Sequence, residues 1–593
     1  MGTSLPLAAG SLQQGFRFAG FRLEADGTLL RGEVPVYLPP RELAVLRLLL
    51  ARAGEIVSPL EVKRALWDEK DASSDTLSRC FTSLRARLGP ADCIQSVYRR
   101  GYRITVAVEP DGPPPGGKLP RLAILPFAAR IGVPDYLGMA VTEEAMERLQ
   151  STSCAVASLV AQDSVFTLAR RGMAAQEIGT TLQADLVLTG QLLTTPGHDR
   201  LRAEMIRVRD GAQLWVEDMI VERGRIGALT AKLVNRLICR LHLGGLSIAA
   251  AAESAAQVES SPNRREANEL FLRAHHGWQT FERHRMQDAL GDLLRAIELD
   301  PALMKARVDL ANLSITQAIY GVISPVIEAG IVRRAAERIP LSAANGAGSV
   351  DALLPSLGWV DFHVDHNLLA ALKAFARSAH LPHDPLTTRA RAMFALSRHR
   401  FGEAIDLLRA AIVLDPYAPS LQARLAWALH LAGEAADSVA QARKALELFP
   451  WHDGALLFGA IILSYNGKAT RAVELRDALA ARSLHFDINT ATYAYVLACD
   501  GRADEARAQL ERLQWLSRER FVLNTLNAAA YVALGEPDAA LAELRVSLEN
   551  RCPWFFQVLA DPRLKPLHGR PEFEEMRAIL TAMEAGAERT ARD

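Results

Sequence analysis

The apolar residues between positions 73 and 105 predict a helix followed by a β-hairpin. Four of them recur at intervals of three or four residues: Leu77, Phe81, Leu84 and Leu88. This spacing places them on one buried face of a helix and leaves the opposite face to solvent. Gly89 and Pro90 end the helix. Residues 94–97 and 102–106 are then rich in β-forming side chains, which predicts a hairpin.

A longer apolar pattern runs from about residue 263 to residue 575 and repeats every 34 residues. Its small anchor residues are Ala370, Ala404, Ser438, Ala472, Ala506 and Ala540. A period of 34 is that of the tetratricopeptide repeat, in which each unit is a pair of helices. An earlier unit, ALGDLLRAIELDP, has the same pattern, and a degenerate one is expected near residues 305–340. We therefore expect about eight repeats stacked into an all-α superhelix with an extended concave surface.

Two segments of the predicted array depart from the period. Residues 339–359 interrupt it and would form a hinge or a loop at a binding edge. The segment WFFQVLADPRLKPLHGRPEFEEM, which starts at Trp554, resembles the ending of such arrays and is expected to cover the last hydrophobic face. The concave groove would bind a protein or peptide partner. The alternative is that the array is only a rigid scaffold or a dimerisation arm.

Residues 121–243 alternate between predicted strands and helices, which predicts a central α/β domain. Strands are expected at RLAILPF, CAVASLV, ADLVLTGQLL, LRAEMIRVR and AQLWVEDM, with helices at VTEEAMERLQ, opened by Thr142, and near residues 174–182. LAILPF, ADLVLTGQL and VRDGAQLWVEDM resemble the TolB N-terminal-like domain. A ligand pocket is one possible role, but no glycine-rich phosphate loop is present, so we favour coupling or oligomerisation. Linkers rich in Pro and Gly or in small residues are expected at 107–120 and 244–262.

Positive charge is concentrated in the helix and hairpin predicted for residues 73–105. Six arginines lie between positions 79 and 103, against the single acid Asp92, in a chain whose formal net charge is zero. The arginines are Arg79, Arg85, Arg87, Arg99, Arg100 and Arg103. Such a local excess is typical of a surface that binds nucleic acid.

Residues 16–106 resemble the winged helix-turn-helix domain of OmpR/PhoB-type regulators, and most closely its HilA-like activators. A short sheet precedes PPRELAVLRLLLARAG, a first helix closed by Gly54, and Ser58, Pro59 and Glu61 begin a second helix as a capping box. The motif VYRRGYRI, residues 97–104, occupies the place of the wing signature V-x-G-x-G-Y-R, with Arg99 in place of the first glycine. The resemblance implies that the third helix enters the major groove and that the wing contacts the minor groove or backbone.

The resemblance and the exposed helix face together give a set of candidate DNA contacts. On the helix these are Ser74, Ser78, Arg79, Thr82, Ser83 and Arg85, and on the hairpin Arg99, Arg100 and Tyr102. Arg79, Thr82 and Ser83 would face base edges, whereas the wing arginines would meet phosphate or the minor groove. The alternative for any one arginine is an ordinary solvated helix face.

Other chemistry finds little support in the sequence. The six cysteines include no C-x-x-C, so neither a zinc site nor a disulfide framework is expected, and a reducing cytoplasm fits. Histidine clusters at 275–276, 363–366 and 380–384 lack the i, i+4 spacing of helical metal ligands with a supporting acid. No signal peptide, membrane span, P-loop, receiver domain or catalytic motif is apparent. We expect no enzyme, no cofactor and no metal.

The sequence thus predicts a multidomain, cytoplasmic bacterial regulator: a winged helix-turn-helix, a central α/β domain and a C-terminal repeat array. It would bind promoter DNA, act as an activator with RNA polymerase as a possible partner, and take its signal through the two downstream regions. The alternative is an interaction scaffold in which DNA binding is secondary.

Overall fold

The computed structural model describes residues 15–24, 27–32, 34–66, 74–89, 93–97, 100–111, 119–130, 133–151, 157–195, 197–242, 261–279, 282–337, 339, 350–378, 385–467, 475, 478, 481 and 486–592. The chain forms two compact units. The first contains residues up to 160 together with 174–261, and the second contains residues 161–173 together with those from 262 onward.

The first unit begins with the winged-helix domain. Its elements are β1 (Gly15–Phe18), β2 (Phe21–Leu23), β3 (Leu29–Arg31), β4 (Val34–Val36), α1 (Pro40–Ala51), α2 (Pro59–Leu66), α3 (Ser74–Leu88), β5 (Ile94–Val97), β6 (Gly101–Ile104) and β7 (Val108–Asp111). One antiparallel sheet has the order β4-β3-β2-β1-β7, and β5 pairs with β6 in a separate hairpin. The three helices enclose a single apolar core with the sheet and the hairpin.

Local sequence fixes the start of α2. The backbone N–H of Glu61 donates to Ser58 Oγ at 3.2 Å, and the Glu61 carboxylate accepts from the Ser58 N–H at 2.8 Å. These two reciprocal bonds are the predicted capping box. The hydrogen bonds from Ser58 hold the pKa of Glu61 below its ordinary value.

The domain extends beyond the predicted boundary at residue 106. Val108–Asp111 forms β7, which pairs antiparallel with β1, although 107–120 was predicted to be linker. The prediction was wrong here because Glu109, Pro110 and Asp111 weaken the local β signal, whereas the exposed edge of β1 supplies a pairing partner. Residues 112–118, with the prolines of the linker, lie outside the described residues.

The central domain completes the first unit. Its elements are β8 (Arg121–Ile124), β9 (Ala128–Ala129), α4 (Asp135–Ser151), β10 (Ser158–Leu159), α6 (Ala175–Thr181), β11 (Leu186–Thr194), β12 (His198–Arg207), β13 (Gln213–Glu222) and α7 (Ile226–His242). The strand order is β10-β8-β11-β12-β13, with β9 beside β11. Strands β8, β10 and β11 run parallel, and β11, β12 and β13 form an antiparallel meander. The sheet and helices α4 and α7 share one core, as the α/β prediction requires.

The start of α4 corrects one sequence prediction. Thr142 was expected to open this helix, but α4 begins at Asp135 and Thr142 is fully buried inside it. The Thr142 hydroxyl accepts from the Phe127 N–H at 2.9 Å and donates to the Gly138 carbonyl at 2.9 Å. Threonine can bond to the carbonyl four residues earlier, so its hydroxyl is satisfied without capping the helix.

Helix α5 (Gln162–Arg170) was not predicted, and it belongs to the second unit. The Ser164 hydroxyl donates to the Asp415 carboxylate and accepts from the Tyr417 N–H at 2.9 Å. Arg171 follows the helix and places its guanidinium 5.7 Å from the centre of the Trp451 ring. Residues 161–173 therefore pack on the repeat array.

The repeat array consists of α8 (Pro262–Trp278), α9 (Arg283–Leu299), α10 (Met304–Ile319), α11 (Pro325–Ala336), α12 (Leu354–His363), α13 (Leu368–Ser378), α14 (Pro385–Ser397), α15 (Phe401–Leu414), α16 (Pro419–Leu431), α17 (Ala435–Leu448), α18 (Asp453–Tyr465), α19 (Asp487–Cys499), α20 (Ala503–Leu516), α21 (Asn524–Ala533) and α22 (Pro537–Glu549). In the described part of the chain these make seven helix pairs, plus α18 beside α16 and α17. Helices α14, α16, α18 and α19 begin at intervals of 34 residues. The predicted period is thus the spacing of the helices.

The anchor residues explain how each pair closes. Ala404, Ser438, Ala506 and Ala540 are fully buried between helices, as predicted, and Ala472 lies outside the described residues. Ala370 is a correction, because it is only half-buried and Ala371 occupies the buried place. The buried residue of this pair thus lies 33 residues before Ala404 rather than 34. Residues 340–349 of that interruption are outside the described residues.

The C-terminal segment also differs from its prediction. Helix α23 (Phe555–Val558) and a 3-10 helix (Pro562–Leu567) precede the long helix α24 (Pro571–Arg592). Rather than covering only the last helix pair, residues 552–567, here called the inner segment, contact helices from α10 to α22. Trp554, Phe555 and Phe556 are each at least 96% buried. Burial of an aromatic side chain contributes about 1.5–3 kcal/mol, so the inner segment is a part of the core.

The burial of the helices fits this arrangement. Every residue of α18 from Gly454 to Leu463 is buried, whereas α17 buries only Ser438, Ala442, Ala445 and Leu446. A helix buried on all faces must be covered on both sides, and a helix with one buried stripe faces solvent. Helix α18 and the first helices of the pairs form an inner wall that the inner segment covers.

Candidate nucleic-acid interface

Helix α3 separates its apolar and polar residues as predicted. Leu77, Phe81, Leu84 and Leu88 are at most 4% exposed and join the core of the winged-helix domain. On the opposite face Ser78, Arg79 and Thr82 are exposed, and Ser83 is half-buried at the margin. Ser74 is the first residue of the helix. The major groove of B-DNA admits an α-helix, so such a polar face can lie against base edges.

The hairpin β5–β6 forms the predicted wing. Val97 is paired with Gly101, and the Arg100 N–H donates to the Val97 carbonyl at 3.0 Å, which closes the turn. Arg100 is exposed at this tip. Arg99 lies outside the described residues, so its predicted role at the tip stays a prediction.

Gly101 brings the wing against the start of α2. Its φ is +142°, and a Cβ at this position would lie 2.1 Å from the Val57 carbonyl oxygen. The close approach allows two backbone hydrogen bonds between Val57 and Tyr102, of 2.8 and 2.9 Å. Only glycine fits both the backbone angle and the contact. This tie between the wing and the second helix was not predicted, although the glycine in the VYRRGYRI motif was its signal.

Two of the predicted DNA contacts also make contacts between α3 and the wing. Arg85 is half-buried, and its guanidinium donates to the Ile94 carbonyl at 3.1 Å and to Ser96 Oγ at 2.8 Å. Tyr102 stacks on Phe81 with the ring centroids 3.6 Å apart. Both side chains join α3 to the wing because the hairpin folds back onto the helix, which their positions in the sequence do not show. Direct DNA contact through these two side chains stays a prediction.

The remaining arginines fall into two groups. Arg87 pairs with Glu42 at 3.1 Å, and Arg103 donates twice to Gln95 Oε1, at 3.2 and 2.7 Å. In contrast, the structure records no hydrogen bond from the guanidinium of Arg79 or Arg100 to any described residue. These two cations, one on the helix face and one at the wing tip, are thus available to an external anion.

Two of the described histidines have structural partners. Burial lowers the pKa of His363 to about 3, and its ring packs against Phe362 and Phe556. His275 Nδ1 lies 2.5 Å from the Asp309 carboxylate and joins α8 to α10. Within the described ranges, no group of three His, Cys, Asp or Glu side chains could hold a metal. His380, His383 and Asp384 lie outside them.

The winged-helix region matches a known family. Residues 32–104 match the model described as "Transcriptional regulatory protein, C terminal". The matched range includes α1, α2, α3 and the wing, and hence every element of the interface.

Two curated proteins illustrate the range of similarity. The chain is 23% identical over 578 residues to "Transcriptional regulator HilA" of Salmonella typhimurium, and this covers 95% of the chain and 93% of that protein. It is also 26% identical over 223 residues to "Putative adenylate cyclase 3" of Rhizobium meliloti, which covers 36% of the chain and 35% of that protein. The first similarity includes the winged helix, the central domain and the array.

A tetratricopeptide repeat protein from Parabacteroides merdae is a structural neighbour, with 12% identity, a TM-score of 0.26, and coverage of 54% of the chain and 99% of that structure. Assignment of the repeats therefore rests on the helix spacing. None of the helices in the part of the chain that the structure describes is long and apolar enough to cross a membrane.

Proposed function

We infer that this chain is a sequence-specific activator that recognises promoter DNA through α3 and the wing. It is a DNA-binding transcription regulator with an OmpR/PhoB-type domain in its N-terminal region. The single observation that carries this inference is the pair of available cations, Arg79 on the helix and Arg100 on the wing. Ties through Gly101, Arg85 and Tyr102 hold the helix and the wing in one rigid unit. Such preorganisation reduces the ordering cost of binding.

In this proposal the two arginines have different tasks. Arg79, with Thr82 and Ser83, faces base edges in the major groove, where a bidentate contact to guanine discriminates between bases. Arg100 meets phosphate or the minor groove and supplies affinity that does not depend on sequence. Ser78 lies on the same exposed face and would position the backbone.

The test compares Arg79→Ala and Arg100→Ala in the full chain. Binding is measured by fluorescence anisotropy with a duplex selected from a random library and with a scrambled duplex, over a range of salt concentrations. Arg79→Ala should lose about 1–3 kcal/mol of discrimination between the two duplexes. Arg100→Ala should weaken both alike and reduce the salt slope by roughly one unit.

A matched control is Arg130→Ala, which removes an arginine of the central domain that bonds to Gln191. It should leave both the discrimination and the salt slope unchanged. Equal losses in the Arg79 and Arg100 variants, with discrimination retained by both, would contradict the assignment.

We further propose that the central domain and the array control DNA binding. Contacts between the winged helix and the central domain, among the described residues, include Arg207 to Thr28 at 3.3 Å and Arg209 to Glu24 at 3.5 Å. An exposed ion pair such as Arg209 to Glu24 contributes roughly 0–1 kcal/mol, so this contact can be formed and broken at little cost. A partner protein, with RNA polymerase as one candidate, would bias the two states. Because its DNA is chromosomal, such a regulator would act in the bacterial cytoplasm.

This control is tested by comparing the DNA affinity and promoter activity of the full chain with those of residues 1–118. That fragment keeps β7, which a fragment ending at Val108 would remove. We expect the DNA affinities of the full chain and the fragment to differ by about 1–3 kcal/mol, or 5- to 150-fold, which is the typical size of such a coupling. Identical activity and affinity, with no protein retained by the array, would refute this control and leave the repeats as a rigid scaffold. Protein retained by the array without any effect on DNA binding would support the rival function of an interaction scaffold.

A further inference from the structure

The inner wall of the repeat array presents residues from successive repeats to one place. They lie in the first helices of their pairs or in α18 and include Ile319, Phe362, Ser397, Trp427, Phe458 and Tyr495. Each of them also contacts the inner segment, residues 552–567, which lies up to 235 positions away along the chain.

Directional hydrogen bonds fix the inner segment along this wall. The indole N–H of Trp554 donates to the Ile319 carbonyl at 2.9 Å, and the indole N–H of Trp427 donates to Gln557 Oε1 at 3.1 Å. Gln557 Nε2 in turn donates to Ser397 Oγ at 3.2 Å. Gln557 thus uses both its amide oxygen and its amide nitrogen, and the two bonds together fix the position of the inner segment along the wall.

A buried charge pair adds a second kind of selectivity. Arg563 contacts the Asp561 carboxylate at 2.7 Å, and His430 Nε2 lies 3.2 Å from the same carboxylate. The Arg563 guanidinium also lies over the Trp427 and Tyr495 rings, at 5.8 and 4.7 Å. Burial by itself would raise the pKa of Asp561, but Arg563 and His430 hold it well below its ordinary value.

Aromatic contacts complete the fit. The Phe556 ring lies 5.0 Å from the Phe362 ring, and the Phe556 carbonyl is 2.7 Å from His399 Nε2. The Trp554 ring lies 6.0 Å from that of Phe458. The segment thus has the features of a bound peptide: aromatic anchors, satisfied polar groups and a compensated charge.

We propose that the inner wall of the repeat array is an intramolecular recognition site whose ligand is the inner segment of the same chain. Because this ligand occupies the wall, an extended partner peptide cannot lie along it. The controlling partner in the proposed function therefore binds the outer surface of the array. This last consequence rests on the proposed function, whereas the intramolecular site does not.

The first test is hydrogen exchange of the full chain, read by mass spectrometry, for the variant Asp561→Asn. The substitution keeps the shape of the side chain but leaves Arg563 without its counter-ion. Breaking one partner of a buried pair is strongly destabilising, so exchange in α14, α16 and α19 should rise together, on the order of 100-fold. The matched control is Asp538→Asn, which removes an exposed partner of Arg570 and should change exchange by less than about 3-fold.

The second test uses a fluorescent synthetic peptide with the sequence of residues 552–567. It should not bind the wild-type chain, because the site is filled, and it should bind Asp561→Asn, in which the inner segment is loosened. Gln557→Ala, which keeps the charge pair, replaces Asp561→Asn if that variant does not fold.

Two results would overturn the proposal: tight binding of the peptide to the wild-type chain, or faster exchange confined to residues 552–570. The second result would make the segment only a terminal cap. Neither measurement uses DNA, so failure here is separate from failure of the DNA-binding assays.

Discussion

Replacement of Gly101 by Ala tests whether the close approach of the wing to α2 holds the interface together. The new Cβ would lie 2.1 Å from the Val57 carbonyl oxygen and 2.9 Å from the Ser58 Cα, so the wing strand must move. A backbone angle of φ +142° is also one that only glycine readily adopts.

The expected loss has two parts. The unfavourable backbone angle costs about 1–3 kcal/mol. Movement of the strand breaks the two hydrogen bonds between Val57 and Tyr102, each of which contributes about 0.5–1.5 kcal/mol. Together the winged-helix domain should lose about 2–6 kcal/mol.

A matched control separates the angle from the contact. Gly54 also has a positive φ, +87°, but a Cβ there would have no atom within 4 Å. Gly54→Ala should therefore lose only the strain of the left-handed backbone, about 1–2 kcal/mol.

The assay is thiol labelling of Cys93 in the full chain, followed by mass spectrometry of the labelled peptide. Cys93 is 2% exposed and adjoins β5, so it reacts when the domain opens. Since about 1.4 kcal/mol corresponds to a factor of ten, Gly101→Ala should accelerate labelling at least roughly 30-fold, and more than Gly54→Ala does. Equal acceleration in the two variants would refute the reasoning that the contact with Val57 constrains the wing.

Two further predictions concern titratable groups. Glu61→Ala should remove about 1 kcal/mol of stability, measured by thermal denaturation at pH 7. Because hydrogen bonds from Ser58 lower the pKa of Glu61, the stability of the wild type should converge on that of the variant as the pH falls below 4.5. Burial and the nearby Asp163 raise the pKa of Asp415 from 3.8 to about 7. The stability that the protonated Asp415 lends to the docking of α5 is complete below pH 3.8 and is lost as the pH rises through about 7. Hydrogen exchange of residues 161–173, corrected for intrinsic rates, should therefore quicken from pH 6 to pH 8 in the wild type but not in Asp415→Asn; the same pH dependence in both would rule out this carboxyl.

The sequence by itself determined the buried face of α3, the start of α2 and the spacing of the array helices. The spacing of Leu77, Phe81, Leu84 and Leu88 was sufficient for the apolar face of α3, and the capping box was sufficient for the start of α2. The 34-residue period was likewise sufficient for the helix pairs of the array. These features are local, because they depend on residues within one or two turns or on a repeated unit.

Tertiary structure decided which element covers each buried face. Arg85 lies on α3 and bonds to the wing, and Tyr102 lies on the wing and stacks on α3, because the wing folds back onto the helix. Helix α5 packs on the array, and the inner segment covers the inner wall, through partners more than a hundred residues distant. Periodicity predicts that a side chain is buried, but not which other side chains it packs against. That choice depends on contacts that form only when the whole chain is folded.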